Sequence, residues 1–167
     1  MLIRALVASL GVLLTACVSY DGRGLRPGAS DAAEVQAVMG SPALRWADAD
    51  GAQQLAYPRG PAGFHTFMVH LRPDGRLHSI KNVLDLTHLA QVATGMSKEQ
   101  VLRTLGPPDE RLTAYFSARD ELAWDWRFID GFQQPMRMIV LFDATAGTVR
   151  STMVQPEQSA FADPPTP

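Results

Sequence analysis

Side chains able to do chemistry are few in this sequence, and they are scattered. Among 167 residues there is one cysteine, Cys17. An internal disulfide and a multi-cysteine metal site are therefore excluded. Four histidines stand at His65, His70, His78 and His88. A metal would need two or three of them to converge with carboxylates. His70 and His78 flank an Asp74-Gly75 turn, which makes them neighbours on paired strands. Two half-exposed strand histidines are the simpler reading, and no metal is expected. Asp120, Glu121, Asp125 and Asp130 cluster around an aromatic run. A carboxylate pair is the minimum for glycoside hydrolysis. Asp125, however, alternates against Trp124 and Trp126, which assigns it to a solvated strand face. No Gly-x-Ser-x-Gly elbow, P-loop or dinucleotide fingerprint occurs. The expectation is a protein that is not an enzyme and takes no cofactor. A formal charge of −2 also excludes strong electrostatic capture of nucleic acid.

The thiol has a telling context. Arg4 precedes an apolar run from Ala5 to Ala16, long enough for a secretory signal and too short to span a bilayer. The run ends Leu14-Thr15-Ala16-Cys17. This resembles the lipobox of bacterial lipoproteins: Leu, a small or polar residue, Ala or Gly, then Cys. The resemblance implies cleavage after Ala16, a lipid on the Cys17 thiol and an acylated new amino terminus. Two or more acyl chains would anchor stably, each buried methylene contributing about 0.8 kcal/mol. Position 18 is Val rather than Asp, which by the sorting rule of such lipoproteins implies the outer membrane.

The elements that follow must carry whatever the anchor holds. Residues 18–28 are rich in Gly, Pro and charge and read as a flexible tether. Residues 155–167 hold four prolines and read as an unstructured tail. Between them lies an internal repeat. Asp31-Ala-Ala-Glu34-Val35 through Met39-Gly40-Ser41-Pro42 aligns with Ser97-Lys-Glu-Gln100-Val101 through Leu105-Gly106-Pro107-Pro108. Each copy opens with a capping box, Asp31 with Glu34 and Ser97 with Gln100. Each places apolar residues four apart on one helical face, then closes with Gly and Pro. Leu86, Leu89, Ala90 and Ala93 predict one further helix, ending at Gly95.

The remainder of each copy is strand-like. Leu55-Ala56-Tyr57 matches Leu122-Ala123-Trp124. Residues 66–71 and 77–83 form a hairpin around Pro73-Asp74-Gly75. Leu122, Trp124, Trp126 and Phe128 alternate, as do Met136, Met138, Val140 and Phe142, and residues 148–153 finish the meander. Each copy alone is of a size at which a core is marginal, so mutual burial would stabilise both.

Gly95-Met96-Ser97 followed by Val101 and Leu105-Gly106-Pro107-Pro108 resembles the signature of the SmpA/OmlA (BamE) family. Gly28-Ala29-Ser30 with Val35 and Met39-Gly40-Ser41-Pro42 is a weaker version. Members of that family are outer-membrane lipoproteins facing the periplasm, with two helices on a three-stranded antiparallel sheet. The tandem layout also resembles the β-lactamase inhibitor protein fold. The resemblance implies an α+β protein with two BamE-like units, each of one or two short helices on a three- to four-stranded antiparallel meander. The expected boundaries are 1–16 signal peptide, 17–29 lipidated Cys and tether, 30–84 first unit, 85–154 second unit and 155–167 tail.

Of the aromatic residues, Trp46, Tyr57, Trp124 and Trp126 suit a sheet core. Phe132 follows Asp130-Gly131 in a turn and suits a partner contact. The expected role is a periplasm-facing, outer-membrane-anchored scaffold binding envelope proteins, among them the β-barrel assembly machinery. The alternative is an inhibitor or regulator of a periplasmic enzyme.

Overall fold

A computed structural model describes residues 21–59 and 63–157. The signal segment, Leu14, Thr15, Ala16 and Cys17 lie outside the described residues. The chain has α+β content: a few short helices and two four-stranded antiparallel sheets.

The first unit is one helix and one meander. Helix α1 spans Ala32–Met39. Strands β1 (Leu44–Ala47), β2 (Gln53–Pro58), β3 (Thr66–Leu71) and β4 (Leu77–Asn82) pair in sequence order. The second unit carries α2 (Leu86–Leu89) and α3 (Lys98–Leu105). Its strands β5 (Ala114–Phe116), β6 (Glu121–Ile129), β7 (Pro135–Asp143) and β8 (Val149–Pro156) again pair in order. Helix α2 is a single turn rather than the longer helix that the apolar spacing predicts. Asp85 caps it, and Gln91 N and Val92 N then fold back onto His88 O and Leu89 O. A run of four spacings is too short to propagate a helix without more packing.

The repeat extends into hydrogen bonds far apart in sequence. Both capping boxes form, with Asp31 and Ser97 as N-caps. Both helices end at a glycine with positive φ, 81° at Gly40 and 76° at Gly106, a conformation that disfavours a Cβ. Gly28 N donates to Leu77 O at 2.7 Å, and Leu77 N donates to Ser30 O at 2.8 Å. In the second unit Gly95 N donates to Val149 O and Val149 N to Met96 O, both at 2.9 Å. Each final hairpin carries a bulge at the same place, between His70 and Leu71 and between Leu141 and Phe142.

Residues 18–28 are expected to be a flexible tether; 18–20 lie outside the described residues, and part of 21–28 is tied to the first unit. Gly22 is buried, Leu25 lies against the first core, and Arg76 Nη1 donates to Ala29 O at 2.8 Å. Gly22 lets the backbone run close to α1 and β4: a Cβ there would fall 2.5 Å from Ile80 Cδ1 and 3.3 Å from Met39 Sδ. The tail is corrected too. Gln155 and Pro156 belong to β8, since Arg137 and Met136 extend β7 opposite them.

The layers stack in the order α1, first sheet, α3, second sheet. Val35 and Met39 of α1 meet Leu55, Tyr57, Val69, Leu71 and Leu77 on one face of the first sheet. Ala56, Met68 and Val83 cluster on its other face, with Leu44 and Trp46 against them. Val101 and Leu105 of α3 pack on Trp126, Phe128, Met138, Val140 and Phe142. The back of α3 faces the first sheet. Gln54 Nε2 donates to Arg103 O at 2.6 Å. Arg103 pairs with Asp48 at 2.8 Å and stands 5.6 Å from the Trp46 ring centroid. A Cβ on Gly106 would fall 2.6 Å from Thr66 Cγ2.

Candidate protein-docking surface

The residues singled out from sequence do not converge on one chemical centre. His70 is half-buried on β3, and its pKa is lowered, first by burial and then by Lys81 and His78. His78 is exposed on β4, while His88 belongs to α2 and its Nδ1 donates to Asp85 Oδ1 at 2.9 Å. Among the described residues no group of three or more His, Cys, Asp or Glu side chains is placed to hold a metal ion.

The four carboxylates are each engaged separately. Asp120 adopts φ 46° and accepts from Thr145 N and Tyr115 Oη, both at 3.1 Å. The Thr145 hydrogen bond is the largest influence holding its pKa low. Glu121 pairs with Arg119 at 2.8 Å. Asp130 caps its own turn. Asp125 corrects the expectation of a solvated residue. It lies on the opposite sheet face from Trp124 and Trp126, as alternation requires, but only 2% of it is exposed. Arg137, diagonally across on the neighbouring strand where Ile139 stands directly opposite, donates to both its oxygens. Burial raises the Asp125 pKa, with the Arg137 hydrogen bond opposing. Strand alternation fixes the face of a side chain, not its exposure.

Of the expected core aromatics, Tyr57 and Trp126 are buried and Trp46 and Trp124 are half-buried. Tyr57 is 3% exposed and Trp126 is 2% exposed. Trp126 Nε1 donates to Gly106 O at 3.2 Å, tying the second core to the end of α3. Trp124 packs edge-on to Phe142, ring centroids 4.7 Å apart. The Tyr57 hydroxyl is buried without a hydrogen-bond partner, and burial raises its pKa against the opposing charge of Arg45.

Phe132 is 85% exposed. Its turn is nonetheless built tightly. Asp130 Oδ1 accepts from Phe132 N and Gln134 N, both at 2.8 Å. Asp130 N donates to Gln134 O at 3.0 Å, and Gln133 takes φ 61°. A large apolar ring is thus presented on a preformed backbone, which lowers the ordering cost of a contact.

Other exposed apolar residues on the second unit escaped the sequence reading. Tyr115 is 58% and Phe116 43% exposed on β5, and Met153 and Val154 are 45% and 47% exposed on β8. Strand β5 is too short to show alternation. An adjacent aromatic pair was the available signal, because neighbouring strand residues face opposite ways. A cavity of about 550 Å³ also opens where the units meet, lined by Leu44, Pro58, Leu84, Pro107, Pro108 and Trp126 among others. Its described lining is mostly apolar, and at its rim Asp109 pairs with Arg111 and Arg127 with Glu157.

No family model matches the chain, and no curated protein matches it. Among solved structures, an extracellular protein containing an SCP domain from Bacillus anthracis str. Ames aligns with 86% of this chain and 47% of its own, at 10% identity and a TM-score of 0.29. The chain spans about half the length of that protein. A likeness this loose carries no argument about either fold or activity.

Proposed function

We propose that this chain is an outer-membrane lipoprotein, anchored through Cys17 and facing the periplasm, whose two BamE-like units form a rigid scaffold that docks envelope proteins. The exposed Phe132 on its locked turn carries the docking part of the reading. The lone cysteine at the end of Leu14-Thr15-Ala16 supports the anchor. Separate engagement of the acidic side chains supports a role without catalysis. Tethering raises local concentration, so modest affinity suffices. Accessory action in outer-membrane protein assembly is the specific role that the sequence resemblance favours.

The narrow, projecting form of the Phe132 turn also suits insertion into a cleft, which keeps inhibition of a periplasmic enzyme as the second reading. One experiment separates them. A photoreactive residue at position 132 is crosslinked in intact cells and the products are identified by mass spectrometry. Barrel-assembly subunits support the scaffold, a hydrolase supports the inhibitor, and no adduct sinks both. For the anchor, palmitate labelling should disappear in Cys17→Ser and the variant should leave the membrane fraction. Unchanged fractionation would remove that part.

A further inference from the structure

The four edges of the two sheets are not treated alike. Strand β1 is four residues long and carries Arg45. Strand β5 is three residues long. Strand β4 carries Lys81 within its exposed stretch; its first residue is engaged by Gly28 and Ser30, as Val149 at the start of β8 is by Gly95 and Met96. Short length, a lysine and a covering segment are the means by which sheets avoid pairing edge to edge. Strand β8 is eight residues long, and from Ser151 to Gln155 it has no charge, no proline and no bulge. Every residue from Arg150 to Pro156 is exposed.

The ladder fixes which backbone groups face outward. Glu157 N donates to Pro135 O at 2.9 Å. Bonded and non-bonded pairs alternate along an antiparallel ladder. Ser151, Met153 and Gln155 therefore bond to β7, opposite Leu141, Ile139 and Arg137. Thr152 and Val154 turn their N–H and C=O groups to the open edge.

The geometry points to β8 as a self-pairing edge: two copies of this chain associate by antiparallel β8–β8 pairing across a two-fold axis at Met153. Thr152 of each copy exchanges both backbone hydrogen bonds with Val154 of the other. The Met153 side chains then meet at the central non-bonded pair, where strands bring side chains closest. Each lies on the face shared with Ile139, so an apolar stripe runs unbroken through the seam.

A second copy fits better than an unrelated strand because the segment is complementary to itself. It is neutral from Ser151 to Gln155, so self-pairing sets no like charges opposite one another. Arg150 is already held by Asp143 at 2.8 Å and by Arg119 O at 2.7 Å. In this register it comes opposite Pro156, whose missing N–H ends the ladder. The bulge near Leu141 ends it on the other side. The two stops select one register and one isologous interface. The pairing depends neither on the lipid anchor nor on Phe132.

The test uses the full chain in mild detergent with Cys17→Ser, which leaves no native thiol. In the proposed register the Met153 Cα atoms lie about 4.5 Å apart, within disulfide range. The two Ser151 positions are displaced by about 14 Å. Met153→Cys should therefore give an oxidised dimer at least about tenfold faster than Ser151→Cys. Val154→Lys places a charge at the edge, as Lys81 does on β4, and should abolish concentration-dependent dimerisation in sedimentation velocity while the melting temperature stays unchanged. Sedimentation as a monomer throughout, equal crosslinking of the two cysteine variants, or a dimer that survives Val154→Lys would each overturn the proposal.

Discussion

The two units share a local plan and differ in what lies against their sheets. In the first, α1 covers one face and α3 approaches the other, so Leu55 and Ala56, neighbours on β2 facing opposite ways, are 2% and 0% exposed. In the second, helices cover the inner face alone. Its outer side opens progressively, from buried Ala123 and Asp125 on β6 to exposed Ser151, Met153 and Gln155 on β8. The lesson concerns duplicated units. Corresponding caps, glycine stops and bulges leave undecided whether a sheet becomes an interior layer or a presenting surface. Helix α3 decides it here, because it serves the core of one unit with one side and the sheet of the other with its back.

The sharpest break in this contrast is Arg137→Ala. It leaves Asp125, almost fully buried on the outer face of the second sheet, without its cation. Removing one partner of a buried pair costs about 3–5 kcal/mol. Chemical denaturation should show a loss of that order. A loss below about 1 kcal/mol would mean that the outer face is wetter than the structure has it.

Glycine substitutions compare the two helix ends directly. Gly40→Ala should cost about 1–2 kcal/mol from the left-handed backbone alone. Gly106→Ala should cost more, since its new methyl would meet Thr66 of the first sheet. Equal losses would loosen the seam between the units. The capping boxes test whether the units unfold together. Asp31→Ala and Ser97→Ala should each remove about 1 kcal/mol. One calorimetric transition shifted by both variants marks a single cooperative body, and two transitions shifted separately mark independent units.

Acid separates the carboxylates by sign. The Asp109 pKa is lowered chiefly by its Arg111 hydrogen bond and the Asp143 pKa chiefly by Ala146 N. Their stabilisation is present above the ordinary carboxylate range and is lost as pH falls through their lowered values. The pKa of Asp125 is raised by burial. It binds its proton more readily folded than unfolded, so its contribution fades as pH rises through the raised value. Asp125→Asn should therefore steepen the acid limb of a stability–pH curve. A flatter limb would reverse the assignment. The smallest effect is expected for Phe132→Ala. Stability should change by less than about 0.5 kcal/mol, while crosslinks formed at a neighbouring turn position fall away. A clear drop in melting temperature would show that the ring packs rather than presents.

Much of the local architecture was legible because each signal is short in range. Capping boxes, glycine stops and the Asp74-Gly75 turn act within four residues, and their physics needs no neighbour. The long strands β6 and β7 showed their alternation for the same reason. Strand β1 and strand β5 were hidden by their brevity. The packing of Leu25 was hidden because one apolar residue among glycines has no period. The exposure of Met153 and Val154 on β8 was hidden because valine and methionine read as core unless the order of strands is known.

The order of residues alone determined the duplicated helix starts and stops, the two meanders and the single cysteine at its motif, since these follow from local hydrogen bonding and chemistry. Only the tertiary structure decided that Asp125 is buried, that α3 lies between two sheets, and that no strand among the described residues pairs with the outer edge of β8. Burial and pairing depend on what arrives from elsewhere in the chain, and no spacing within a strand encodes that arrival.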